Sequence, residues 1–399
     1  MMTVETEFES TTDNPALVDA LRRRIESEGP ITFHDYMETV LYHPQLGYYA
    51  TREPMGRSGD YLTSPEVHPI FGALAGKQVA QLWRAMGEPE AFDLVEQGAG
   101  TGRLAHDLLR WASRRDQPFF AATRYRIVEI SPPLRERQRQ TLGALPGLRA
   151  GQVDWLDELP DAIEGVVLTN ELLDSFPVHR VTIRNDPSLS PFPKGKGNLC
   201  EVYVSYGGGR FVEEMRTPST PRIERYFSGL GLLPSEGCTV EVNLHAVDWM
   251  ASVASKLRRG FVLTFDYGYE ANELYVPWRR DGTLMCFYQH NPSSDPYARI
   301  GKQDMTSHVD FTTIKRAGEE HGLQVAGFTT QARFLSSLGI GAALEEVAKE
   351  APGALEEYYA RRRAVQELID PAGLGRIRVL AQRRGVDATP LLGFSDGDG

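Results

Sequence analysis

Cysteine is scarce. The 399 residues hold three, Cys200, Cys238 and Cys286, with no CxxC pair among them. That excludes a disulfide-stapled scaffold and fits a reducing compartment. No long run of lysine or arginine appears and the net charge is −11, so no nucleic acid and no anionic membrane surface is an expected partner. No apolar stretch is long enough to span a bilayer, so membrane insertion is not expected. The opening MMTVETEFESTTDNP has no apolar h-region and no Arg-rich amphipathic pattern, which argues against a signal or transit peptide. A cytoplasmic location is the resulting expectation. No two histidines stand at ligand spacing on one helix, so no metal is expected. Two phosphate-binding loops are missing as well: neither GxGxxG nor GxxxxGK[ST] occurs.

What is present describes an ordinary soluble enzyme. Hydrophobic residues make up 41% and charged residues 24%, and the length suits one large domain with an insertion, or two domains. NPALVDALRRRIESEGP predicts a helix with Asn14 as N-cap and a stop at Gly29-Pro30. ITFHDYMETVLYHPQ predicts a second helix that breaks at His43-Pro44. From FDLVEQG onward, short apolar runs alternate with amphipathic ones, the rhythm of a parallel sheet covered on both faces. The stretch from Arg184 to Gly237 interrupts it with a Pro/Gly/Ser loop and a hairpin turning at Gly207–Gly209. LQVAGFTTQARFL and RIRVLAQRRG predict a late antiparallel pair at the sheet edge.

The candidate site starts at VEQGAGTGRL. Gly98, Gly100 and Gly102 alternate directly after a strand. Such a loop is either a tight turn or a place where a ligand approaches the main chain. Glu129, at the end of the next strand, is placed to accept from two ribose hydroxyls. Asp154, read as the end of a third strand, could accept from an adenine amino group. Each has a plainer reading, a solvated strand end for Glu129 and a helix N-cap for Asp154. Together they describe an adenosine carried without phosphates: S-adenosylmethionine rather than NAD. Asn170, Glu171 and Asp174 follow a buried strand and face the same crevice. The two carboxylates suit a guanidinium, whose donors form a fork.

Nine motifs in order carry a family resemblance: GPITFHDYMETVLYHPQLGYY, GDYLTSPEVHPIFG, EQGAGTGRLAHDLL, VEISPPLRERQ, NELLDSFPVHR, FDYGY, GTLMCFYQH, DMTSHVDF and TTQARFLSSLGI. The chain resembles the MidA-type, class I S-adenosylmethionine-dependent methyltransferases, whose mitochondrial members act as complex I assembly factors and protein arginine methyltransferases. The resemblance implies an α/β fold: a Rossmann-like seven-stranded sheet, an N-terminal helical segment and an insertion after strand 4. It implies a tail at 1–13, a helical segment over the cofactor at 14–86, a first part of the core at 87–183, the insertion at 184–237, a second part of the core at 238–394 and a tail at 395–399. It places Thr63, Ser64 and Glu66 near the cofactor's amino-acid end, and they join Glu96, Gly98, Gly100, Gly102, Glu129, Asp154 and Asn170 as the cofactor-binding candidates. Glu171, Asp174 and His308 become the catalytic candidates. The implied reaction turns S-adenosylmethionine into S-adenosylhomocysteine while methylating arginine on a protein partner of respiratory-subunit type. Gln97 and Ala99 stand where the family commonly has Leu and Pro, and Leu172, Leu173 and Ser175 depart from it as well. The acceptor is therefore less defined than the cofactor. An assembly factor with little catalysis and a small-molecule methyltransferase are the alternatives, and a homodimer stays open.

Overall fold

Seven strands whose side chains alternate between two apolar layers build the centre. They are β1 (Phe92–Gln97), β2 (Thr123–Val128), β3 (Val153–Leu156), β4 (Ile163–Asn170), β5 (Leu257–Asp266), β6 (Gln324–Thr330) and β7 (Arg378–Arg384). Their order is 3-2-1-4-5-7-6, parallel except for β7, which runs antiparallel to both neighbours. The computed structural model describes residues 13–51, 59–60, 62–184, 198–342 and 355–395. Both expected tails fall almost wholly outside these residues, as does the loop over 185–197.

The period-two rule sets the layers. In β4, Val166 and Leu168 face one layer and Val167 the other. In β5, Phe261, Leu263 and Phe265 face the first and Val262 the second. The first layer holds the helices Ile70–Ala85, Arg103–Arg115 and Gln331–Ser337; the second holds Leu244–Lys256 and Phe311–Glu320. The expected late antiparallel pair is present as β6 and β7. The C-terminal end of "TTQARFL" is helical, because Thr330 caps a new helix by accepting from the Arg333 N–H.

A second, antiparallel sheet lies between β4 and β5. Its strands are His179–Arg184, Asn198–Gly207, Arg210–Arg216 and Thr239–Val242, joined at one edge by Ile31–Thr32. Strands on both sides of the 184–237 insertion thus belong to this sheet. The hairpin turns at Gly208 and Gly209, both at positive φ, as a right-twisted two-strand ribbon requires. Ile31 and Thr32 are not helical as expected: they pair with Val204 and Tyr203, and Thr32 caps the helix that follows. Asn14 and Gly29 do bound the first helix. Both N-terminal helices pack on the second sheet and on a small sheet of Met285–Tyr288, Asn291–Ser293 and Asp304–Thr306. That small sheet closes one side of the site.

Candidate functional site

Two cavities meet beyond the carboxyl ends of β1, β2, β4 and β5, where an open α/β sheet changes its winding direction. The first, about 480 Å³, is lined by Gly98, Gly100, Glu129, Ile130, Asp157 and Trp249 among others. Gly98 has φ 73°, and a Cβ there would lie 2.9 Å from Leu172 Cδ1, so the position demands glycine twice over. Gly102, φ 79°, does not line the cavity; it starts the helix Arg103–Arg115 with its Cα against Gln138. The Gln97 side chain is engaged: it accepts from Trp249 Nε1 at 2.9 Å.

Glu129 stands one residue past β2 and is buried. Burial raises its pKa, offset by the Ser131 N–H at 2.9 Å and Gln138 Nε2 at 3.0 Å. Gln138 Nε2 also donates to the Gly100 carbonyl at 2.9 Å, tying the acid to the glycine loop. Ile130 beside it is 72% exposed, an apolar plate at the cavity edge. It went unnoticed in the sequence, where the only signal is an isolated apolar residue between an acid and a helix N-terminus.

The third acid was misplaced. Asp154 is the second residue of β3, not its end, and its carboxylate pairs with Arg126 on the neighbouring strand, outside the cavity. Asp157, just past the strand, lines the cavity and accepts from Arg135 Nη2 at 2.6 Å. The tryptophan in VDWLDEL let two aspartates fit one pattern. Glu96 faces the core: its carboxylate accepts from the Tyr125 hydroxyl at 2.7 Å, and burial pushes its pKa up to about 7.

Thr63, Ser64 and Glu66 line neither cavity. They form a single turn that clamps the site from above. The Ser64 N–H donates to Glu171 Oε1 at 3.2 Å, its hydroxyl to Gln331 at 2.9 Å, and Glu66 accepts from Thr101 in the glycine loop. Thr63 is the N-cap of this turn, without a side-chain capping bond.

Glu171 lines both cavities. Its backbone has φ 51°, an unusual state for a non-glycine residue that costs on the order of 1 kcal/mol. The Phe265 carbonyl and the side chains around it hold it there: its N–H donates to that carbonyl at 2.8 Å, and its carboxylate accepts from Asn170 Nδ2 at 2.9 Å. Burial pushes its pKa to about 7. Asn170 ends β4, and its Oδ1 is buried with no hydrogen-bond partner among the described residues.

The second cavity, about 610 Å³, is lined by Asp60, Glu171, Asp174 and Asp304, and also by Arg279, His308 and Arg376. Asp174 is buried; burial and the nearby Asp266, Glu171 and Asp304 all raise its pKa. Asp266 lines neither cavity. It ends β5 and accepts from the Leu172 and Leu173 N–H groups at 3.2 and 2.8 Å, shaping the turn that presents Asp174. Burial, Arg376 and Arg279 lower the His308 pKa to about 4, so its imidazole is neutral at pH 7. Among the described residues the buried His308 Nδ1 has no hydrogen-bond partner. The structure thus joins Glu171, Asp174 and His308 around one cavity, and adds Asp60, Asp304, Arg279 and Arg376, each from a segment remote in sequence.

One further grouping has metal-ligand chemistry: the ligand atoms of His34, Asp35 and Glu38 lie within 4.8 Å of one another. Asp35 already pairs with Arg24. Among the described residues no helix is long and apolar enough to cross a membrane.

A sheet of order 3-2-1-4-5-7-6, with a glycine loop after β1 and an acid after β2, defines a class I methyltransferase. Comparison with known proteins agrees. Residues 74–329 match the family described as "Putative S-adenosyl-L-methionine-dependent methyltransferase". A Drosophila melanogaster protein named protein arginine methyltransferase NDUFAF7 homolog, mitochondrial, is 32% identical over 411 residues, covering 95% of this chain and 89% of its own. The Mus musculus protein arginine methyltransferase NDUFAF7, mitochondrial, is 30% identical over 352 residues, covering 82% and 74%. A Burkholderia thailandensis protein solved with bound S-adenosyl-homocysteine superposes with a TM-score of 0.85 at 37% identity, covering 96% of each chain. The chain belongs to this S-adenosylmethionine-dependent methyltransferase family, of MidA type, and S-adenosylmethionine is its cofactor.

The expected cytoplasmic location does not stand. The fly and mouse relatives are both named mitochondrial, and nothing in these similarities supports the cytoplasm. Sparse cysteine indicates a reducing compartment, a property the cytoplasm shares with others.

Proposed function

We propose that this methyltransferase transfers its methyl group to an arginine nitrogen on a protein partner. The observation that carries the reading is Glu171, which stands in the wall of both cavities at once. A methyl passing from one cavity to the other crosses beside this carboxylate. The names of the fly and mouse relatives support arginine as acceptor, and the acidic second cavity suits a guanidinium.

The first cavity fits the cofactor. Gly98 and Gly100 leave the main chain open, Glu129 has acceptor capacity for ribose hydroxyls, and Ile130 offers an apolar face to a flat base. Asn170 lines neither cavity and bears on the site through its bond to Glu171. The cofactor supplies the methyl on a sulfonium, already electrophilic. The chain's residues position and deprotonate. Asp174 and Glu171 accept N–H bonds from the guanidinium and aim one nitrogen at the methyl. The proton that the methylated nitrogen gives up would pass to Glu171. A carboxylate with a pKa near 7 is a stronger base than an ordinary one, so burial at this position favours the transfer. Ser64 and Asn170 hold it in place. Neutral His308 lines the same cavity as a further hydrogen-bonding group.

The test uses labelled S-adenosylmethionine with mitochondrial and bacterial extracts, followed by mapping of the labelled residue. Methylarginine on a protein is the expected product. Label confined to small molecules would overturn the reading, and S-adenosylhomocysteine binding without any label would favour an assembly factor.

A further inference from the structure

The acceptor cavity is lined by charges of both signs, and a target arginine accounts only for the acids. Burial, Glu171 and Asp174 raise the Tyr267 pKa, while Arg376 acts on it in the opposite sense. Arg376 sits 5.5 Å from the Tyr267 ring and Arg279 4.8 Å from the Tyr269 ring. Both arginines act on His308 between them. Neither pairs with a carboxylate among the described residues: Arg279 donates to the carbonyls of Glu273 and Leu274, at 2.8 and 2.6 Å, and Arg376 makes only its ring contact.

Two cations facing a pocket that takes a cation are a cost unless the ligand also brings an anion. Like charges repel across a pocket of this size, and such repulsion is a known means of rejecting wrong partners. The next residue before Arg279 is Trp278, 80% exposed. An apolar side chain so exposed, one residue away from a lining residue of the cavity, offers contact area that a peptide covers and a free amino acid does not.

We propose that Arg279 and Arg376 form an anion subsite of the acceptor pocket. It selects a target arginine that has an acidic side chain close beside it in the partner's sequence, and it rejects arginines in basic surroundings. The inference rests on arginine being the acceptor. It adds which arginines are used.

The experiment compares blocked peptides with one central arginine and a neighbour that is Glu, Gln or Lys, at each of the flanking positions in turn, by label transfer. The Glu peptide should exceed the Lys peptide in kcat/KM by about tenfold, chiefly through KM, at one or two positions. Arg376→Glu should reverse that preference while S-adenosylhomocysteine binds as in the parent, which reports an intact fold. Equal use of the three peptides at every position, with arginine methylated, would overturn the subsite and leave the arginine reading intact. Free arginine used better than every peptide would overturn it also. If the protein binds S-adenosylhomocysteine yet methylates no arginine in any form, the arginine reading falls and the subsite with it.

Discussion

The cofactor cleft and the acceptor pocket share Glu171 but are built from different materials. The cleft stands on strand ends and exposes backbone: two glycines at positive φ, then the acid and the apolar residue that follow β2. The pocket draws its walls from segments scattered between Asp60 and Arg376. Buried carboxylates fasten several of these. Glu241 accepts from the Thr283 and Leu284 N–H groups at 2.8 and 3.3 Å, and Asp60 accepts from the Gln289 N–H and the Tyr48 hydroxyl at 2.7 Å each. A ligand that is the same in every turnover is met by backbone shape. A ligand defined by its charge is met by side chains with perturbed ionisation, held by a second set of buried acids.

The boundary between the two regions is the place to break the comparison. Glu171→Gln keeps the shape and the hydrogen bond from Ser64 but removes the base. Transfer should fall by about 10²–10³-fold in kcat, with S-adenosylhomocysteine affinity within about threefold of the parent by calorimetry. Unchanged transfer would remove the carboxylate from the mechanism. Gly98→Ala should do the reverse. Its Cβ meets Leu172 and strains the left-handed backbone, so affinity for S-adenosylhomocysteine should drop by about tenfold. Its kcat at saturating cofactor should change far less. An equal loss in both parameters would mean that the two cavities do not act as separate units.

The pH dependence sharpens the same contrast. Burial raises Glu96 and Glu171 from about 4.5 to about 7. Between these values the folded protein holds protons that the unfolded chain has released, so this contribution to stability falls as pH rises through that window. Melting temperatures of the ligand-free protein from pH 5 to pH 8 should show it. Glu96→Gln should flatten the slope, because the amide still accepts from the Tyr125 hydroxyl but carries no charge. Methyl transfer has the opposite sign: it should rise with pH through about 7 as Glu171 ionises. A melting slope untouched by Glu96→Gln would locate the titration elsewhere.

How much of this was legible follows from where the residues lie. The sheet rhythm, the glycine loop, Glu129 and the acid pair after β4 sit in contiguous stretches whose spacing carries meaning without the fold. The late antiparallel pair was readable for the same reason. Asp60, Arg279, Asp304 and Arg376 were not, because each becomes a neighbour of Glu171 only through long-range packing, and each looks in sequence like an ordinary solvated charge. Thr63, Ser64 and Glu66 were found through resemblance, and in the structure they hold Glu171 and the glycine loop rather than line a cavity. Ile31–Thr32 misled because pairing with Val204 and Tyr203 outweighs the helical pattern around them.

Asp154 and Asp157 give the finest test, since they stand three residues apart on opposite sides of the cleft's boundary. Asp154 pairs with Arg126 at a half-exposed position, where an ion pair contributes about 0–1 kcal/mol. Asp154→Ala should leave S-adenosylhomocysteine affinity within about twofold and lower the melting temperature by about 2 °C at most. Asp157 lines the cavity, and its carboxylate accepts from Arg135, whose guanidinium also donates to the Glu129 and Leu156 carbonyls at 2.6 and 2.7 Å. Asp157→Ala therefore loosens the loop that follows β3 as well as removing an acceptor, and affinity should weaken by about threefold to tenfold. A larger loss from Asp154 than from Asp157 would put the adenine end of the cofactor beyond β3. Glu129 and Ile130 would then line the cleft without touching the base.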